Sequence, residues 1–173
     1  MAVYPLVAAG LTITAQMLND MQPEVVYATA VQSVTNSTTL QNDSELVVAL
    51  LANASYVVEV VASFDVTAAS NLKTQWLVPT GSTGMRQCIG ATGTSGTFTS
   101  RVDCAGKFEP VRFGTNSVSI LDTSGNGQPV FETGVVNVGP TAGNVRFQWG
   151  QNTIQNVALN RQTFSFMRVT RFA

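Results

Sequence analysis

An all-β fold, a jelly-roll-like β-sandwich with a short extended or helical N-terminal attachment arm, is the architecture this sequence predicts, and three observations point to it. Runs of β-favouring residues recur at short intervals, with Gly, Asn, Ser or Pro between them. The longest run alternates with period two: Tyr56, Val58, Val60, Ala62 and Phe64 share one face, while Val57, Glu59, Val61, Ser63 and Asp65 share the other. The first set is therefore expected in the core. Finally, charged residues make up only 11% of the chain, which suits sheets whose exposed faces are neutral and polar. At 173 residues the chain accommodates one domain, residues 24–173, behind an arm of residues 1–23, with enough core to fold without staples.

The arm comes first. Thr14 is an N-cap candidate for a helix over Ala15–Met21, and Pro23 ends it because proline pushes the preceding residue out of the helical region. A helix under roughly 12 residues is marginal in water, so the arm needs an apolar partner surface. Leu6, Leu11, Ile13, Met17, Leu18 and Met21 are its candidate attachment residues.

Strands are expected near Val25–Val34, Glu45–Leu51, Ser55–Val66, Leu72–Val78, Met85–Ile89, Phe98–Cys104, Phe108–Phe113, Ser117–Leu121, Val130–Val138, Val145–Trp149 and Thr163–Arg171, with a shorter one near Ile154–Leu159. Turn chemistry separates them at Asn53-Ala, Pro79–Gly84, Gly90–Gly96, Asp122–Gly127 and Gly139–Gly143. No repeat of fixed period is present, which disfavours a propeller or solenoid. Trp149 is in phase with Val145 and Phe147, and Trp76 with Leu72 and Val78, so both tryptophans are expected in the core and not as platforms for sugar rings. The last strand differs from the others. Phe164 and Phe166 lie on one side and Met167 and Val169 on the other, so both faces are apolar. Either the strand sits inside a thick core, or its second face meets another subunit, with a homotrimer as the expected assembly.

The ten acids and nine bases are unevenly spread, because six acids precede the first base, Lys73. Chance explains this in a charge-poor chain; so would oppositely charged faces meeting between subunits, or an acidic arm docking on a basic surface. With a net charge of −1 and no Lys/Arg cluster, nucleic acid is not an expected partner. Nor is a membrane: the apolar-rich stretch over residues 46–66 is interrupted by Asn53, Ser55, Glu59 and Asp65 and alternates as strands do. The Val3–Leu11 run lacks the basic flank of a secretory signal.

Reactive chemistry has little to work with. The chain contains no histidine, which removes Ser-His-Asp and Cys-His machinery and the commonest zinc ligand. Glu59, Asp65, Asp103, Glu109 and Glu132 could supply a glycosidase pair only by converging in space, and their spacing gives no sign of it; they read as solvated residues. Asp122–Gly127 imitates the first half of a calcium loop, but Pro129 and a misplaced Glu132 break the second half. Cys88 and Cys104 could bridge neighbouring strands; a product of cytosolic assembly would keep them as free thiols. No enzyme activity, cofactor or metal is expected.

Ile13-Thr-Ala-x-x-Leu-Asn19, followed by Pro23-Glu-Val-Val-Tyr27, resembles the start of small virion structural proteins of tailed phages and prophages of actinobacteria. Glu132-Thr-Gly-Val-Val136, Gly143–Gln151 and Phe164–Arg171 resemble their closing strands. The resemblance implies a non-enzymatic protein of the virion, of the capsid decoration, head-fibre or minor tail type, whose partners are further copies of itself and other capsid or tail proteins. The alternative is an adhesin module that binds carbohydrate on a host surface.

Overall fold

Eleven β-strands form among the described residues of the computed structural model, which are 10, 12–15, 22–66, 70–90, 118–120 and 125–172. They are β1 (Glu24–Tyr27), β2 (Gln32–Val34), β3 (Gln41–Leu50), β4 (Ser55–Val66), β5 (Leu72–Leu77), β6 (Thr83–Gly90), β7 (Val118–Ile120), β8 (Gly125–Asn137), β9 (Gly143–Gln151), β10 (Leu159–Arg161) and β11 (Phe166–Arg171). All pairings are antiparallel.

Seven strands form one sheet and four the other. In the larger sheet β1 and β2 run end to end against β11 and β10, which themselves run end to end along one side of β4. β8 takes the other side of β4 and β6 the far side of β8. The smaller sheet has the order β3-β9-β5-β7. If β1/β2 and β10/β11 each count as one broken strand, the chain changes sheet at every step between described strands. That alternation is the wrapping of a jelly roll, so the expected fold class is the observed one.

The core lies between the sheets, where the alternation places it. Tyr56, Val58, Val60, Ala62 and Phe64 are buried, opposite Val145, Phe147 and Trp149 of β9 and Trp76 of β5. Phe64 meets Trp149 edge-on, with ring centroids 5.4 Å apart, and Phe147 at 6.4 Å. Each such side chain removed from water stabilises the fold by about 1.5–3 kcal/mol. Both tryptophans are at most 1% exposed, as their phase predicts. Gly134 of β8 is imposed by the close approach of β6, since a Cβ there would lie 2.5 Å from the Met85 carbonyl oxygen.

The differences from expectation have local causes. The single strand expected over Val25–Val34 breaks into β1 and β2 because Thr29 and Ala30 turn their N–H groups to the Glu45 carboxylate, while the Ala28 N–H donates to the Ser165 carbonyl. The strand expected over Thr163–Arg171 starts only at Phe166, and β10 precedes it. Between them, the Ser165 hydroxyl accepts the Ser63 N–H and donates to the Gln162 carbonyl, replacing ladder bonds. β3 begins four residues before Glu45, through a bulge that starts at Asn42 and releases Asp43 from the ladder. β8 likewise begins at Gly125, inside the expected turn: Gly127, at φ +68°, donates its N–H to the Asp65 carboxylate at a register shift in the β4–β8 pairing. Residues 154–158 form a loop and not a strand, because the buried Gln151 amide donates to the Gln155 and Val157 carbonyls and accepts the Gln155 N–H. Asn53 turns the chain at φ +52° as expected. The strands expected over 98–104 and 108–113 lie outside the described residues, as does the helix beyond Ala15.

Candidate functional site

Two polar clusters lie inside the sandwich, and the second holds Glu132, one of the acids that could have done chemistry. In the first, the Asp43 carboxylate freed by the β3 bulge accepts the backbone N–H groups of Glu45 (3.0 Å) and Leu46 (2.9 Å), the Trp149 indole N–H (3.1 Å) and the Arg161 Nε–H (2.8 Å). Arg161 also donates to Glu45 Oε2 (2.9 Å) and to the Ala30 carbonyl (2.8 Å). Asp43 and Arg161 are fully buried. This cluster joins both sheets and pins the Ala28–Val31 break between β1 and β2.

In the second, Arg86 of β6 donates to Glu132 of β8 (2.6 Å) and to the Thr74 carbonyl of β5 (2.6 Å), and the Thr74 hydroxyl donates to Glu132. The Cys88 thiol lies 3.4 Å from the same carboxylate. Burial, followed by the adjacent Glu132 charge, pushes the thiol far above its usual range and favours its neutral form. Cys88 is a free, buried thiol, and Cys104 lies outside the described residues.

The second cluster corrects the reading of Glu132 as solvated, since it is buried and ion-paired; outside both clusters, Asp65 is tied to Gly127 N–H and the Gln162 amide. The ion pairs also show where much of the charge asymmetry goes. Asp43, Glu45 and Glu59 from the acidic half pair with Arg161 and Arg168 from the basic half, within one chain. Among the described residues no group of three or more metal-ligating side chains converges, and no helix is long and apolar enough to cross a membrane.

Glu45 gives the first cluster a pH dependence. The Thr29 hydroxyl, then the Thr29 N–H and Arg161, hold its carboxyl down at about 2 from an ordinary 4.5. A depressed acid stabilises the fold above its unfolded pKa, and that contribution is lost as pH falls through the folded value. Stability should therefore decline between pH 4.5 and 2 in part through this residue. Thr29→Val should raise the Glu45 carboxyl toward its ordinary value, read by NMR titration, and flatten melting temperature against pH over the same interval.

Among the described residues, the outer face of the larger sheet presents an extended row of exposed apolar side chains. Strand register sets Tyr27, Phe166, Val61, Phe131 and Ile89 side by side across the whole width of the sheet. Tyr27 is 68% exposed, Phe131 48%, Phe166 37% and Ile89 36%. A shallow hollow of about 130 Å³ lies beside Val61, Phe131 and Ile89. The next row along the strands is Val25, Arg168, Glu59, Thr133 and Gln87, in which Arg168 and Glu59 form an ion pair at 2.5 Å. Beyond it lie Thr170, Val57, Val135 and Met85.

This geometry divides the residues expected at a subunit interface. Met167 and Val169 are corrected: they are 0% and 4% exposed, packed in the core opposite the second sheet, and have no surface to offer a neighbour. Phe166 lies on the outer row, and Phe164 is 83% exposed in the break before β11. The wider apolar row was missed, although the alternation of β4, β8 and β6 marks its residues as outward-facing; only strand order brings them together.

A second feature is a cleft of about 520 Å³ between the open edges of the two sheets, lined by Pro23, Glu24, Val48, Leu51, Tyr56 and Arg171. The arm enters the sandwich at this cleft, since Gln22 also lines it. Of the arm's attachment residues, Ile13 is 51% exposed; Leu6, Leu11, Met17, Leu18 and Met21 lie outside the described residues.

No family model matches the chain and no curated protein matches it. Among solved structures it is similar to a structure of the infectious bursal disease virus Gx strain, at 12% identity and a TM-score of 0.21, over 87% of this chain. The chain spans 40% of the length of that one. A likeness this slight carries no argument about function.

Proposed function

We propose that this is a structural protein of a tailed-phage virion, an oligomeric β-sandwich attached to the particle surface as a capsid decoration, head-fibre or minor tail protein. The observation that carries the reading is the contrast between the two surfaces of the larger sheet. Its inner polar groups are tied into closed clusters across the core, and its outer face displays an uninterrupted apolar row suited to a protein neighbour. Jelly rolls commonly serve capsids, and the N-terminal and closing segments resemble virion proteins, which supports the same reading.

A host-glycan adhesin is the second reading. The cleft favours it, because it sets the charged Glu24 and Arg171 beside the apolar Pro23 and Leu51, the mixture that sugars use. Purified particles and a glycan array distinguish the two. Recombinant protein should bind particles lacking it to saturation and leave the array silent. Array binding abolished by Arg171→Ala, without particle binding, would replace the virion reading with the adhesin.

A further inference from the structure

We infer that the outer face of the larger sheet is the contact between two copies of this chain, packed sheet on sheet about a twofold axis that runs parallel to the strands between β4 and β11. The inference stands on the sheet geometry and goes beyond the proposed particle role, which it does not require.

The occupant follows from the pattern of rows. In face-to-face packing a twofold axis along the strands keeps each row opposite itself and reverses the order of the strands. With the axis between β4 and β11, Phe166 meets the partner's Val61, and Tyr27 meets the partner's Phe131, so apolar covers apolar along the row. In the adjoining row Arg168 meets the partner's Glu59, and the two ion pairs merge into a cluster of alternating sign across the axis. An axis down the middle of β4 would instead set Glu59 against itself, so charge selects one axis position. Strands roughly 4.8 Å apart and residues roughly 3.3 Å apart give the four overlapping strands a face of roughly 300–400 Å² per copy, about half of what a standard interface buries, which is the scale of a weak pair.

The same argument revises the trimer expected from the last strand. That expectation set one face of β11 in the core and the other against a neighbour, which a pair meets as well as a trimer does. A single patch that complements itself closes as a pair.

Sedimentation equilibrium of the full chain tests this without particles, so its failure is distinct from failure of the virion reading. The wild-type chain should be a dimer. Phe131→Glu, at an exposed position, should keep the circular dichroism of the fold and weaken the dimer about 100-fold by burying an unpaired charge. Arg168→Glu and Glu59→Arg should each be folded and monomeric, because each homodimer opposes like charges. Their equal mixture should recover a dimer, because only the mixed pair restores both cross-axis contacts. An ion pair that acts only within one chain cannot produce that recovery. A wild-type monomer or trimer, a dimer indifferent to Phe131→Glu, or a mixture that stays monomeric overturns the inference.

Discussion

Glu132→Leu is expected to destabilise the fold by about 3–5 kcal/mol, because it leaves the Arg86 guanidinium buried without its carboxylate. Arg86 is 1% exposed, and the Thr74 hydroxyl and carbonyl that remain carry no charge to offset it. Against the roughly 5–15 kcal/mol that holds a typical domain together, this loss is large. For a chain of this size it should lower the melting temperature by roughly 10 °C. Arg86→Met should do comparable damage by stranding Glu132. The double variant Arg86→Met/Glu132→Leu should recover most of the loss, since buried ion pairs are often replaced by apolar residues of similar volume at little cost. A thermal or urea denaturation cycle over the four proteins measures the coupling. Additive losses in the double variant would mean that packing, and not charge, governs the site.

Removal of residues 1–21 should have the largest effect on function. The segment carries Leu6, Leu11, Ile13, Met17, Leu18 and Met21, too few apolar groups for a core of their own and too many to leave in water. At roughly 25 cal/mol per Å², burying several of them on a particle supplies on the order of 5–10 kcal/mol before ordering costs, and multivalent display adds avidity. The first described strand, β1, starts at Glu24, so the sandwich keeps all of its described pairings after truncation. The truncated chain should therefore fold, with a melting temperature near that of the full chain, and fail to join particles in co-sedimentation. Normal occupancy by the truncated chain would move the attachment surface onto the sandwich.

The sequence carried the architecture because period-two alternation is a local signal. β4 was bounded correctly at both ends, the two tryptophans were assigned to the core from their phase alone, and the turn at Asn53 was read from its residue type. What escaped was set by contacts distant along the chain. Nothing near Gly125–Gly127 reveals that Asp65 will accept the Gly127 N–H and draw the segment into β8. The break between β1 and β2 depends on Glu45, itself placed by a bulge that exists to serve Arg161, over a hundred residues away in sequence. The candidate surface was half legible for the same reason. Phe164 and Phe166 are two residues apart and could be read together, whereas the row to which Phe166 belongs is assembled by strand order.

The position of β10 and β11 also bears on how the protein is made. They are the last described strands to leave the ribosome, yet they lie between β1/β2 and β4 rather than at a sheet edge. Until residue 159 and those after it emerge, β4 has one unpaired flank, β1 and β2 have no ladder to join, and the core lacks Leu159, Met167 and Val169. Hydrophobic collapse can begin during synthesis, but closure of the larger sheet must wait for its final insertion. The nascent chain therefore passes through an interval in which an open strand edge and an incomplete core are both accessible to neighbouring chains, and a chaperone that holds β4 is of most use in that interval.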